Sequence, residues 1–333
     1  FPIGHLAPRL VGMDPIMWDP FRYKLGGRLF NAKGEEFLHK YGGEDAEKYT
    51  TTRDIISYGI TKEHEAGLTT ENGGVHLSFQ HIPEDKLREA FGPVIDKLAA
   101  NGIDLTKNTV EVSPIAHYHM GGIRVNGQME TSVAGLYGAG EVVGGANGAN
   151  RLSGNAIPEA FVFGERAGRF AAEYARGRNR VWSDAAAQEH LDLLNSLISR
   201  QSDTAGDKAA LGEMWFELQN LMWEKVGVLR TGDKLSAALI RIREMRTALA
   251  DMVPADDTEF NMTLQDWYDL RSALLTAESV TLAAINRTES RGAHQREDYE
   301  EMDPSQEHNQ RLRLGEDGAV LSDYLPVAKG VAA

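Results

Sequence analysis

The chain has 333 residues, 42% hydrophobic and 25% charged, with a formal net charge of -14. That length suits two or three packed units, and an acidic balance without a Lys/Arg stripe argues against nucleic acid as a partner. Cysteine is absent, which excludes disulfides, thiolate nucleophiles and thiolate-held iron–sulfur clusters from these residues.

Pro2, Pro8, Pro15 and Pro20 break any early helix. Arg28 to Asn31 predicts a short strand, Lys33-Gly34 a turn, and the residues after it a second strand or a helix start. In TTRDIISYGITKEHEAG, the residues Ile55, Ile56, Tyr58 and Ile60 predict a helix packed on one side, with Arg53 near its N-terminus. Residues 74–80 alternate Val75, Leu77 and Phe79, the pattern of a half-buried strand. A helix over about 83–100 shares Leu87, Phe91, Ile95 and Leu98 on one face and ends at Asn101-Gly102.

Residues 134–137 read as a strand ended by Gly138 and Gly140. A helix over 156–175 carries Ala160, Phe163, Gly164, Ala167 and Gly168, a small face suited to close approach to a sheet. Trp182 to Arg291 reads as helical, with Ser183 and Asp184, Asp207, Asp233, and Thr263 with Asp266 as N-cap signals. The clearest amphipathic patterns are Leu211, Trp215, Leu218, Met222 and Leu235, Leu239, Ile242, Met245, Leu249. The Met and Trp residues there are core of a helical bundle. After Glu289 the chain is polar to Gln310, then predicts a short strand pair around Glu316-Asp317-Gly318 and an extended surface tail.

Chemistry concentrates in the run 111–160, EVSPIAHYHMGGIRVNGQMETSVAGLYGAGEVVGGANGANRLSGNAIPEA. Glycine at this density lets the main chain approach a flat or charged ligand. His117 and Arg151 are the side chains best suited to hold an anion there. The residues alone therefore describe a cofactor-and-anion site on an α/β scaffold. No stretch has the roughly 18–20 apolar residues of a membrane helix. The ten histidines show no HExxH spacing, so no metal site is expected, and no serine stands in a nucleophile-elbow context. Gly138, Gly140 and Gly144 come near a G-x-G-x-x-G dinucleotide fingerprint, but the third glycine falls one residue late.

Three motifs, HYHMGGI (117–123), GLYGAGE with GANRLSGN (135–141, 148–155) and RTESRGAH (287–294), carry a resemblance. In order and spacing the chain resembles the C-terminal portion of the flavoprotein subunit of succinate dehydrogenase and fumarate reductase, a family that includes L-aspartate oxidase. The resemblance implies an α/β (α+β) fold: the C-terminal part of a flavin-binding domain plus a capping-domain segment, followed by a helical bundle. It divides the chain into a capping portion (1–105), a flavin-domain segment (106–180), a helical domain (181–291) and a C-terminal extension (292–333). It implies FAD as cofactor and interconversion of succinate and fumarate by hydride transfer at flavin N5.

On the same resemblance, His117 and Arg151 hold substrate carboxylates. Arg53 is the proton-delivering arginine, with Asp54 as a carboxylate able to resupply the proton. Glu141 resembles the flavin-ribose contact, and Asn155, Ala156 and Ile157 the backbone contact to the isoalloxazine. His119 is at most a supporting residue, and Arg291 and His294 are structural, near where relatives meet an iron–sulfur subunit. The expected partners are a C4 dicarboxylate, an N-terminal flavoprotein segment bearing the missing glycine fingerprint, and an iron–sulfur subunit. The expected location is cytoplasmic, or peripheral on the cytoplasmic membrane through partner subunits.

Periodicity alone leaves Arg53 an ordinary surface arginine and His117 an ordinary structural histidine; only the motifs reverse this. The chain also departs from the family. SGNAIPEA lacks a hydroxyl at Ala156 and places Pro158 at the helix start, and the cap's His-Pro-Thr-Gly stands as Phe1-Pro2-Ile3-Gly4. An L-aspartate oxidase and a non-catalytic partner-binding remnant are the alternatives. RTESRGAH favours the succinate/fumarate type over the first, and the set Arg53, His117 and Arg151 opposes the second.

Overall fold

The structure, a computed structural model, describes residues 26–42, 53–152, 154–178, 183–199, 207–252 and 260–327. The early prolines, the 1–4 segment, Thr51, Thr52, Trp182 and the end of the tail lie outside these residues, as do the side-chain roles expected of Arg53 and Asp54. The chain divides into two compact units, one holding residues 2–116 and one holding 117–333.

The first unit is a three-stranded antiparallel sheet with two helices. Strands β1 (Arg28–Phe30) and β3 (Val110–Val112) flank β2 (Val75–Ser78), with Leu29 opposite Leu77 and Leu77 opposite Val110. Alternation puts Val75 and Leu77, followed by Phe79, into a core shared with Leu29, Phe37, Ile56 and Ile60. Helix α1 spans Arg53–Glu65, so the backbone of Arg53 opens it as expected. Helix α2 (Glu84–Ala99) runs on through Pro93 and buries Leu87, Phe91, Ile95 and Leu98. It stops where Gly102 turns to φ +82, with Ile103 N–H donating to Leu98 O at 3.0 Å. A buried carboxylate ties α1 to the preceding turn: Glu63 accepts from Asn31 Nδ2 at 2.8 Å and from the Tyr41 hydroxyl at 2.9 Å. Burial and that bond push the Tyr41 phenol up to about 12.

The second unit opens in glycine-rich loops, then forms helices α3 (Ala156–Arg176), α4 (Asp184–Ser199), α5 (Asp207–Val226), α6 (Gly232–Asp251) and α7 (Met262–Asn286). The core joins Leu211, Leu218 and Met222 of α5 to Leu235, Ala238, Ile242 and Met245 of α6 and to Trp267, Leu270 and Leu274 of α7. Between α6 and α7 the buried Glu278 takes Arg243 Nε at 2.9 Å and also Arg246. Leu229–Arg230 (β4) pairs in parallel with Gln295–Arg296 (β5). Strands β6 (His308–Leu314) and β7 (Val320–Pro326) form the expected antiparallel pair, fastened to α7 by Gln310 Nε2 donating to Ala283 O at 2.9 Å.

Several local expectations change. Residues 134–137 are a turn, not a strand: Gly135 sits at φ +82, and of these residues only Tyr137 makes a bridge, to Glu130. The caps of α6 and α7 are Thr231, accepting from Lys234 N, and Asn261, accepting from Leu264 N, rather than Asp233 and Thr263. Thr263 is instead buried. Ala238, one residue from Leu239, takes the buried place on α6. The helical region ends at Asn286, short of Arg291. A Cβ at Gly164 or Gly168 would meet nothing among the described residues, so neither marks a close approach here.

Candidate active site

The HYHMGG and GEVVGG stretches lie side by side. Ile123 N donates to Val142 O at 2.8 Å and Gly144 N to Ile123 O at 3.2 Å. A Cβ on Gly122 would fall 2.5 Å from Val142 O, so the motif's second glycine is required by backbone contact. Glu141 Oε1 accepts from His119 N at 2.9 Å, and His119 Nδ1 lies 3.0 Å from Gly121 O. His119 thus folds back onto its own loop, while the neighbouring His117 is exposed.

Arg151 lies on the next loop with its guanidinium carbon 4.3 Å from the centroid of the Tyr118 ring. Its Nη1 donates to Leu152 O at 3.3 Å. The Tyr118 hydroxyl donates to Glu159 Oε2 at 2.8 Å, and Asn147 Nδ2 donates to the same oxygen at 2.8 Å. Burial, then the bond to Glu159, raise the Tyr118 phenol above its usual value. Glu159 is buried on the first turn of α3. Among the described residues no acid forms an ion pair with Arg151, and its buried Nε has no partner, nor has Glu159 Oε1. The fold therefore brings Arg151 onto the ring of Tyr118, the residue that follows His117 in sequence. The motifs gave no role to Tyr118, Asn147 or Glu159. The one hint was an acidic residue in an otherwise apolar helix start.

RTESRGAH backs this loop. A Cβ on Gly292, whose φ is +57, would come within 2.5 Å of Ala149 O, and Ala293 N donates to that oxygen at 2.9 Å. Ala149 stands two residues before Arg151. The buried Glu289 accepts from Arg287 Nη1 at 2.6 Å, Arg291 Nε at 2.9 Å and Asp303 N at 2.9 Å. Burial would raise this carboxyl, but those donors overcome it and hold it at about 2. His294 lies 2.8 Å from Arg230 Nη1 through Nδ1 and 3.0 Å from Arg287 O through Nε2.

A flavin fits the chemistry of what the second unit presents. Asn155 makes no side-chain cap at the N-terminus of α3, so the amides of Ala156 and Ile157 open a helix end suited to negative charge. The exposed Glu141 has a second carboxylate oxygen beyond the one held by His119 N. Arg53 belongs to the other unit, at the head of α1.

The FAD binding domain family matches residues 17–157, and the fumarate reductase flavoprotein C-terminal family matches residues 216–328. The chain is 35% identical over 279 residues to a subunit of the CoM/CoB fumarate reductase of Methanothermobacter marburgensis, covering 84% of this chain and 49% of that protein. It is 31% identical over 296 residues to an L-aspartate oxidase of Nicotiana tabacum, covering 86% of this chain and 43% of that protein. The solved quinol fumarate reductase of E. coli superposes with a TM-score of 0.82 at 27% identity, covering 96% of this chain and 57% of that one. The chain thus spans about half the length of the relatives it matches. Both halves of the sequence, and the arrangement of helices and sheet, point one way: the chain belongs to the fumarate reductase/succinate dehydrogenase flavoprotein family.

Proposed function

We propose that the chain serves an FAD-dependent oxidoreductase that interconverts a saturated and an unsaturated C4 dicarboxylate, succinate and fumarate. The observation that carries this reading is Arg151: its guanidinium rests on a tyrosine ring and has no acid partner among the described residues, on the loop that leads into α3. A cation held by its π face keeps its charge and its planar fork for a carboxylate. His117 and Arg151 hold the substrate's carboxylates, and Glu141, Asn155, Ala156 and Ile157 hold the flavin. When bound, the flavin supplies hydride acceptance and donation at N5. Arg53 moves the proton at the other carbon and, because a guanidinium's pKa lies above about 12, works through a relay with Asp54.

Electrons leave or arrive through an iron–sulfur subunit, since this chain has no thiolate to hold a cluster. Membrane association would come through partners, because no helix among the described residues is long and apolar enough to cross a membrane. The L-aspartate oxidase relative supports a second substrate, an amino dicarboxylate. Turnover of succinate against L-aspartate by the flavin-loaded enzyme separates the two.

The clamp itself is tested by Arg151→Ala. Titrating the flavin-loaded enzyme with fumarate should show binding weakened by about 2–5 kcal/mol, the cost of leaving a desolvated carboxylate unpaired. Affinity and turnover within a few-fold of the parent would remove Arg151 from the site.

A further inference from the structure

We propose that Tyr118 is a positioning residue for the substrate clamp, acting through Arg151 and aimed in turn by Glu159 and Asn147; this rests on the dicarboxylate reading above. The geometry is specific. Arg151's guanidinium carbon stands 4.3 Å from the Tyr118 ring centroid, so the ring covers one face of the cation. An arginine side chain has many rotamers, whose loss a substrate would otherwise have to offset when it orders the clamp. A ring already in place lowers that cost while leaving Nη2, which makes no bond among the described residues, to a ligand.

The ring is itself fixed at its far end. Its hydroxyl donates to Glu159 Oε2 at 2.8 Å, and Asn147 Nδ2 secures the same oxygen at 2.8 Å. Glu159 is 7% exposed and sits on the first turn of α3, so the aim of the ring is set by a helix rather than by a loop. The arrangement also keeps two opposite charges from cancelling. Glu159 Oε2 is held by a phenol and an amide, and among the described residues Glu159 makes no ion pair with Arg151. The tyrosine stands between the acid and the arginine in this chain of contacts. The cation therefore remains available for an anionic substrate.

The test is a double-mutant cycle in the flavin-loaded enzyme, with malonate as a non-reacting dicarboxylate and calorimetry as the readout. Tyr118→Leu should weaken malonate binding by about 5- to 30-fold, the usual worth of a partly desolvated cation–π contact. In turnover the loss should appear in KM for fumarate with kcat little changed, because the clamp acts on bound substrate before and during the reaction. Tyr118→Phe keeps the ring and should stay within about threefold of the parent. On an Arg151→Lys background, Tyr118→Leu should add less than about twofold, since the planar cation it serves is already gone.

Full additivity of Tyr118→Leu with Arg151→Lys would overturn the proposal, as would a Tyr118→Phe enzyme as weak as the leucine variant. If Tyr118→Leu does not fold, the phenylalanine variant still decides: a loss of tenfold or more would show that the hydroxyl, not the face of the ring, holds the clamp, and would overturn the proposal. Parental malonate affinity in Arg151→Lys and Arg151→Ala would instead bring down the clamp reading, and this proposal with it.

Discussion

The helical bundle and the glycine-rich segment before it are built on opposite principles. In the bundle, apolar residues from Leu211 to Ala284 merge into one continuous core. In the stretch from 117 to 178 the buried apolar residues among those described are Met129, Val143 and Ala167. There the loops are held by the backbone bonds of Ile123 to Val142 and Gly144 and by the Tyr118–Glu159–Asn147 bonds. Helix α3 meanwhile leaves Ile157, Phe161 and Val162 exposed. A core that closes on itself supplies stability, whereas a loop cluster with few buried side chains keeps backbone and charge open to ligands.

The largest expected effect tests that contrast directly. Leu274 is fully buried between α7 and its neighbours, and Leu274→Ala should cost about 2–5 kcal/mol of stability. Phe161 on α3 is 76% exposed, and Phe161→Ala should change stability by no more than about 0.5 kcal/mol. Urea unfolding of the two variants gives both numbers. Equal losses would break the comparison, because they would mean that α3 is packed as tightly as the bundle.

A second effect comes from the seam between the bundle and the site loops. Arg230 can only donate, so His294 Nδ1 accepts at 2.8 Å while Nε2–H donates to Arg287 O at 3.0 Å. The ring is therefore neutral, and burial followed by the nearby Arg230 pulls its pKa from 6.5 down to about 4, against the bond to Arg287 O, which raises it, and with the Arg296 and Arg287 charges lowering it further. With the folded pKa below the unfolded one, the unfolded chain binds the proton first as pH falls. Stability should decline between about pH 6.5 and 4, by at most about 3 kcal/mol, and this contribution should level off below. Glu289, held at about 2, stays ionised through that window. Denaturation at stepped pH should show the decline in the parent and a shallower one in His294→Gln, whose amide can donate and accept at the same two places. An unchanged slope in the variant would assign the acid sensitivity elsewhere.

What the sequence disclosed follows the same division. Leu87, Phe91, Ile95 and Leu98 announce α2, and Leu235, Ile242, Met245 and Leu249 announce α6, because period and burial are the same fact in a packed helix. Gly135 misled, since a left-handed residue inside an apolar run is not visible in hydropathy. Asp233 outshone Thr231 as a cap because both types suit the position and only backbone geometry chooses. The pairing of Leu229–Arg230 with Gln295–Arg296 is two residues long, too short for any pattern. At the site, the motifs named His117 and Arg151, but Tyr118 and Glu159 stand 41 residues apart, and their bond exists only once α3 has docked.

The smallest expected effect joins the two regions. Gly292 in RTESRGAH holds φ +57, and a Cβ there would fall 2.5 Å from Ala149 O, with Ala149 Cβ itself only 3.0 Å away. Gly292→Ala therefore meets two costs, a left-handed conformation that alanine resists and a backbone contact that must open. Together these should destabilise the chain by about 1–3 kcal/mol. Because Ala149 accepts from Ala293 N at 2.9 Å, relief of the clash has to move the loop that carries Arg151. On the proposed dicarboxylate reading, binding should then weaken by a few-fold even where the variant remains folded. Thermal unfolding and a fumarate titration on the same preparation separate the two consequences. A Gly292→Ala protein that loses stability but binds fumarate as the parent does would show that the RTESRGAH segment supports the loop without setting where its arginine points.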